Sequence, residues 1–219
     1  IKGFPDQTFG PEKPISRAEF LKIVIVASGV KPKTVKSNEK TGEISEIPDP
    51  GFKDVLKDDW FYEFVRDAKA AGLVKGYDDA TFRPHQGVTR AEALKILFQA
   101  YNVKPEFIGM ENGGGGSNGS GNIGPADGGK MTGAGGHADR IPAIFPSDIN
   151  SSDWFFPFAG AARQRWIMTD FDDGFFRPGQ HLTRGSAAEV LYRFDTVYKN
   201  NLPMFDISTE WENFQSFSG

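Results

Sequence analysis

The chain repeats itself, and no other feature limits its fold so tightly. A shift of 94 residues lays the segment from Phe52 to Val103 on that from Pro146 to Val197 without a gap. Asp54 then meets Asp148, Asp59-Trp60-Phe61 meets Asp153-Trp154-Phe155, Phe82-Arg83-Pro84 meets Phe176-Arg177-Pro178, and Thr89-Arg90 meets Thr183-Arg184. A shift of 73 brings in the N-terminal residues. Lys2-Gly3-Phe4 falls on Lys75-Gly76-Tyr77, and Asp6, Thr8, Phe9 and Pro11 fall on Asp79, Thr81, Phe82 and Pro84. Ser16-Arg17-Ala18-Glu19 falls on Thr89-Arg90-Ala91-Glu92. There are three copies of one unit, the first showing only its second half.

The copies divide the 219 residues as follows. Residues 1–30 are repeat one (C-terminal half), 52–103 repeat two and 145–199 repeat three. Residues 31–51 and 104–144 are insertions at repeat boundaries, where added loop length costs little. Residues 200–219 form a tail. The second insertion holds 13 of the 26 glycines and none of the aromatic density of the rest, so it cannot build a core. A net charge of −4 argues against a broad basic face for nucleic acid. No apolar run reaches the ~20 residues of a membrane-spanning helix. The absence of cysteine excludes disulfides, thiolate metal sites and a cysteine nucleophile.

Within repeat two, Asp58-Asp59 precedes Trp60 and predicts a helix N-terminus, with Phe61, Phe64, Val65, Ala68 and Leu73 at helical spacing and Gly72 at the C-terminal cap. Gly76 to Phe82 reads as a tight turn in which Asp79, like Asp6 and Asp173, bonds local backbone. Thr89-Arg90-Ala91-Glu92 is a capping box that opens a second helix with its buried stripe at Leu94, Leu97, Phe98 and Tyr101. Repeat one carries the same box at Ser16 and Glu19. Repeat three has Ser186 where the glutamate belongs, which predicts a cap weaker by about 0.5–1 kcal/mol and a degenerate junction. A helix pair this small cannot bury both its stripes. Three pairs around a common axis can, and the expected fold is all-α with pseudo-threefold repetition.

The combination of Phe52-x-Asp54-Val55 and Trp60, Gly76-Tyr77-x-Asp79-x-Thr81-Phe82-x-Pro84 and Thr89-Arg90-Ala91-Glu92 resembles the S-layer homology repeat. Repeat three carries it as Asp148, Trp154, Asp173-Gly174-x-Phe176-x-Pro178 and Thr183-Arg184, and repeat one as Asp6-x-Thr8-Phe9-x-Pro11 and Ser16-Arg17-Ala18-Glu19. The resemblance implies a non-enzymatic bacterial cell-envelope anchor, outside the cell, whose inter-repeat grooves bind secondary cell-wall polysaccharide, often pyruvylated. It implies no cofactor. A pyruvylated sugar presents a carboxylate beside a pyranose face. Arg17, Arg90 and Arg184, each at the first position of a capped helix, would meet the carboxylate with a guanidinium fork and free helix amides. Trp60 and Trp154 would meet the sugar face or anchor the core. Asp54 and Asp148 would bind hydroxyls or cap a helix. Two alternatives stand beside this reading: an assembly module contacting other envelope subunits, and a wall hydrolase, for which no local motif speaks.

The remaining signals are weak. His85, His137 and His181 lack metal-ligand spacing. Asp170-x-Asp172-Asp173-Gly174 resembles the start of a calcium loop without its closing glutamate. The missing half of repeat one is expected either upstream or from the tail, where Phe205-Asp206-Ile207 with Trp211, Phe214 and Phe217 resembles the opening of repeat two at shorter spacing.

Overall fold

The computed structural model describes residue 3 and residues 6–30, 47–106 and 145–206. Among these residues there are five helices and no strand: α1 (Arg17–Ser28), α2 (Tyr62–Ala70), α3 (Arg90–Ala100), α4 (Phe156–Gln164) and α5 (Arg184–Lys199). Helices α1, α3 and α5 are the second helices of repeats one, two and three. Helices α2 and α4 are the first helices of repeats two and three.

The capping boxes at Ser16/Glu19 and Thr89/Glu92 are complete, with the hydroxyl accepting from the N3 amide and the glutamate accepting from the N-cap amide. At α5 the Thr183 hydroxyl still accepts from the Ser186 amide, but the reciprocal carboxylate bond is gone. Gly72 follows α2 at φ 77°, a left-handed position that glycine reaches without strain. Its counterpart in repeat three is Trp166, at φ 57°.

The first helix of each full repeat starts later than the acidic pair predicted. Helix α2 begins at Tyr62 with Phe61 at the N-cap and no side-chain cap bond. The Asp59 carboxylate instead accepts from the Leu56 amide at 2.7 Å and closes the turn before the helix. Asp153 does the same for the Asn150 amide at 2.8 Å.

The three copies close into a ring. Ile15 N–H donates to Leu182 O, Leu182 N–H to Val88 O, and Val88 N–H to Ile15 O, at 3.0, 2.9 and 3.1 Å. These three side chains are buried at the centre. Around this axis each second helix inserts its N-terminus into the loop of the next repeat. The amides of Arg17 and Ala18 donate to Gln86 O and Pro84 O; those of Arg90 and Ala91 to Gln180 O and Pro178 O; those of Arg184 and Gly185 to Lys13 O and Pro11 O.

The first helix of each repeat lies against the second helix of the repeat before it. Helix α2 packs on α1 and α4 on α3. Phe98 of α3 is fully buried, meeting Phe158 of α4 at 5.7 Å and Phe194 of α5 at 5.0 Å. Its counterpart on α5 is Tyr192, which is 54% exposed.

The tail residues 207–219 lie outside the described residues, so the predicted docking of that segment cannot be placed. Phe205, at its start, is buried on repeat three. Its amide donates to Arg165 O at 2.8 Å and its ring stands edge-on to Tyr192 beneath Arg193.

Candidate functional site

The ring creates three junctions, and each is built from the same parts. An arginine at the first position of one repeat's second helix crosses into the loop of the next repeat. Arg17 donates through Nε to Phe82 O at 3.0 Å and lies over the rings of Tyr77 and Phe82. Arg184 donates through Nε to Phe9 O at 2.9 Å and lies over the Phe9 ring. Arg90 donates through Nη2 to Thr169 O at 2.6 Å and lies over Phe171 and Phe176. All three arginines are buried.

One part of the predicted arrangement is corrected. The first two amides of each second helix are not free for a ligand. They are already bonded to loop carbonyls of the next repeat, and the third goes to the N-cap hydroxyl. Ring closure satisfies the orphan donors that a helix N-terminus otherwise offers. What remains for an anion is the guanidinium.

The junctions differ in how that charge is balanced. At the first, Arg17 Nη1 pairs with Glu92 Oε1 at 3.0 Å, and the Tyr77 hydroxyl donates to the same carboxylate oxygen at 2.6 Å. Burial raises the Tyr77 phenol to about 12, with the Glu92 hydrogen bond adding to the effect. Burial also disfavours the Glu92 carboxylate. Arg17, Tyr77 and Thr89 outweigh this and hold its pKa below the ordinary value. At the third junction Arg184 Nη1 lies 3.7 Å from Glu19 Oε1.

At the second junction Ser186 occupies the glutamate's position and Phe171 that of the tyrosine. Among the described residues Arg90 pairs with no carboxylate, its Nε has no hydrogen-bond partner, and the residue is only 8% exposed. Burial pushes its guanidinium down to about 10, against the pull of Asp170 and Asp148.

Asp54 and Asp148 sit in the loops that the arginines enter. Asp54 accepts from the amides of Phe82 and Arg83 at 2.8 and 2.7 Å, and Asp148 from those of Phe176 and Arg177 at 3.0 and 2.6 Å. The turn aspartates behave as the sequence predicts. Asp6, Asp79 and Asp173 accept from the amides of Thr8, Thr81 and Phe175. Asp170, in the calcium-like run, is held by Arg163 through two hydrogen bonds at 2.7 and 2.5 Å. Among the described residues no group of three or more His, Asp or Glu could hold a metal ion.

Trp60 and Trp154 are not core anchors. They are 52% and 54% exposed, and the adjacent Phe61 supplies the buried ring in repeat two. Each indole has a lysine from the preceding repeat over its face: Lys22 on Trp60 at 5.1 Å and Lys95 on Trp154 at 5.2 Å. Sequence reading missed these two lysines. The signal was present: Lys22 and Lys95 occupy the same place in repeats one and two, five residues beyond the arginine. Glu189 replaces them in repeat three. Burial lowers the Lys95 pKa, and the neighbouring Lys75 lowers it further.

A closed helical ring of three repeats, with an arginine crossing every junction, defines the class of module. The chain belongs to the S-layer homology domain family, whose model matches residues 1–21, 51–94 and 147–188. Over 106 residues, 47% of this chain, it is 38% identical to a cellulosome-anchoring protein of Acetivibrio thermocellus, covering 21% of that protein. Over 110 residues, 50% of this chain, it is 31% identical to a surface layer protein of Brevibacillus choshinensis, covering 9% of it. Over 180 residues, 81% of this chain, it is 28% identical to cell surface glycoprotein 1 of Acetivibrio thermocellus, covering 6%. The chain therefore spans about a fifth or less of the length of these relatives. The family and the relatives place it at the bacterial cell surface. No helix among the described residues is long and apolar enough to cross a membrane.

Proposed function

We propose that this chain attaches a bacterial surface protein to the cell envelope by binding an acidic cell-wall polysaccharide at its inter-repeat junctions. The observation that carries the reading is the pairing of a half-exposed indole with a lysine across each of the first two repeat boundaries, the same boundaries that Arg17 and Arg90 cross. An indole edge and face suit the C–H surface of a pyranose. The ammonium and guanidinium suit a carboxylate such as a pyruvyl ketal. Trp60 and Trp154 with Lys22 and Lys95 form the sugar-facing part. Arg17, Arg90 and Arg184 form the charged part. Asp54 and Asp148 shape the rim by fixing the loops, and they contact the glycan only through oxygen lone pairs that the amides leave open. No bond is made or broken in this role, and no cofactor enters it.

The test is binding of the 219-residue chain to purified wall polymer, native and with its carboxylates reduced to alcohols. Native polymer binds, carboxylate-reduced polymer binds at least about tenfold more weakly, and Trp60→Ala with Trp154→Ala weakens binding further. Equal binding of the native and reduced polymers refutes the acidic-glycan reading. A second reading, an assembly module for envelope proteins, is favoured by Tyr192 and Leu202, large apolar side chains left exposed on and just after α5. Its signature in the same experiment is self-association or protein capture without polymer binding.

A further inference from the structure

Repeat two carries a hollow whose counterpart in repeat three is filled by an aromatic ring. The hollow, of about 280 Å³, lies where the ends of α2 and α3 meet. Buried Leu73 and Phe98 and half-buried Ala71 and Gln99 line it, with exposed Lys104 at its mouth. The shift of 94 residues that lays repeat two on repeat three carries Ala71, Phe98 and Gln99 onto Arg165, Tyr192 and Arg193. Those three residues hold Phe205. Its amide donates to Arg165 O at 2.8 Å, its ring stands edge-on to Tyr192 at 5.8 Å, and the Arg193 guanidinium lies over it at 5.3 Å. Phe205 is buried there. This place in the repeat is thus built to take an aromatic side chain from a passing segment, and among the described residues none takes it in repeat two.

The polar lining says which ring fits. The Gln99 side-chain oxygen is buried and has no hydrogen-bond partner, and a buried acceptor left unpaired is costly. The occupant must combine a flat apolar body for Leu73 and Phe98 with one N–H for Gln99. An indole has both, a large apolar ring system with a single donor and no acceptor. In repeat three the guanidinium of Arg193 has no lone pair to satisfy and rests on a phenyl face instead. The chain brings an indole near. Phe205 is joined to the mouth of the hollow by a relay of hydrogen bonds: its amide to Arg165 O, Arg165 Nη1 to Glu106 O at 2.7 Å, and the Glu106 amide to Lys104 O at 2.9 Å. Trp211 follows Phe205 by six residues, a length that reaches about 20 Å when extended.

We propose that the hollow at the ends of α2 and α3 is a binding site for an indole, and that Trp211 of the same chain is its occupant. The indole packs on Leu73 and Phe98, and its N–H donates to Gln99 Oε1. The tail then fastens repeat three to repeat two, with Phe205 anchored on one and Trp211 on the other. This seats it on repeat two rather than in the gap of repeat one that its sequence suggests. The site uses none of the residues assigned to the polysaccharide and does not depend on what the junctions bind.

The experiment is fluorine NMR of the 219-residue chain labelled with fluorotryptophan, its four indole resonances assigned by replacing each tryptophan with phenylalanine in turn. The Trp211 resonance is expected away from the position of an exposed indole, without the shift between light and heavy water that half-exposed Trp60 shows, and unchanged on dilution. Gln99→Arg copies repeat three, removes the acceptor and returns Trp211 to the exposed position. An unmoved Trp60 resonance and the parent's melting temperature are the folding check. Where Gln99→Arg fails that check, Gln99→Leu removes the acceptor at similar volume and gives the same reading. A Trp211 resonance with the full solvent shift in the parent overturns the proposal, as does one that loss of the Gln99 acceptor leaves in place. Seating that appears only as concentration rises assigns the hollow to the tail of a second copy and overturns the occupant proposed.

Discussion

Asp54 shows how one carboxylate can be read in two ways and decided by geometry. It stands where a sugar-binding acid would stand, yet it receives two backbone amides from the loop that Arg17 enters. One of those amides belongs to Phe82, which is fully buried. Asp54→Ala leaves both donors unsatisfied and is expected to cost roughly 2–3 kcal/mol, or about 5–10 °C of melting temperature at this chain length. A melt within a degree of the parent would show that the loop does not depend on this acid. The arginines were legible as residues because they recur at one place in every copy. Their partners were not. Pairing of Arg17 with Glu92 and of Arg184 with Glu19 crosses repeats, and no spacing along the chain encodes it. The exposure of Trp60 and Trp154 was equally hidden, since an indole at helical spacing fits a core as well as a surface.

At the scale of elements, the second helices were readable and the first helices less so. Capping boxes are local, so Ser16 to Glu19 and Thr89 to Glu92 fix their helix starts from four residues. The acidic pair before Trp60 misled because Asp59 closes the preceding turn instead of the helix. Glu92 joins the local and non-local levels, as cap and as partner of Arg17 and Tyr77. Its folded pKa is depressed, so its contribution is fully present above the ordinary carboxyl value of 4.5 and is lost as pH falls through the lower folded value. Denaturant midpoints measured between about pH 3 and pH 7 should therefore fall more steeply on the acid side for the parent than for Glu92→Gln, which lacks the ionised group at every pH. Parallel curves would remove Glu92 from the acid response.

The whole molecule is a ring, not an open stack. In an open array each repeat touches only its neighbours and the ends fray. Here repeat three returns to repeat one through Arg184 and Gly185 on Lys13 and Pro11, and the three central amides close on one another. The amides of Ile15, Val88 and Leu182 should then exchange with solvent only through global unfolding, with one common free energy. Distinct values for the three, measured by native-state hydrogen exchange, would mean that the ring opens one repeat at a time. The threefold design was legible because three copies cannot each bury their own stripes. That each first helix lies on the preceding repeat, as α2 on α1 and α4 on α3, was not, because the sequence marks an apolar face without naming its mate.

The interlocking of helix starts with neighbouring loops also changes what the peptide backbone must do between copies. Each boundary is held by three backbone hydrogen bonds, two from the helix start and one at the axis, and by a buried arginine, so cohesion there does not depend on covalent continuity alone. The Gly-rich stretch 104–144 spans one such boundary. A protease cut within it would produce two polypeptides but one particle, and the anchor would keep its grip after being nicked.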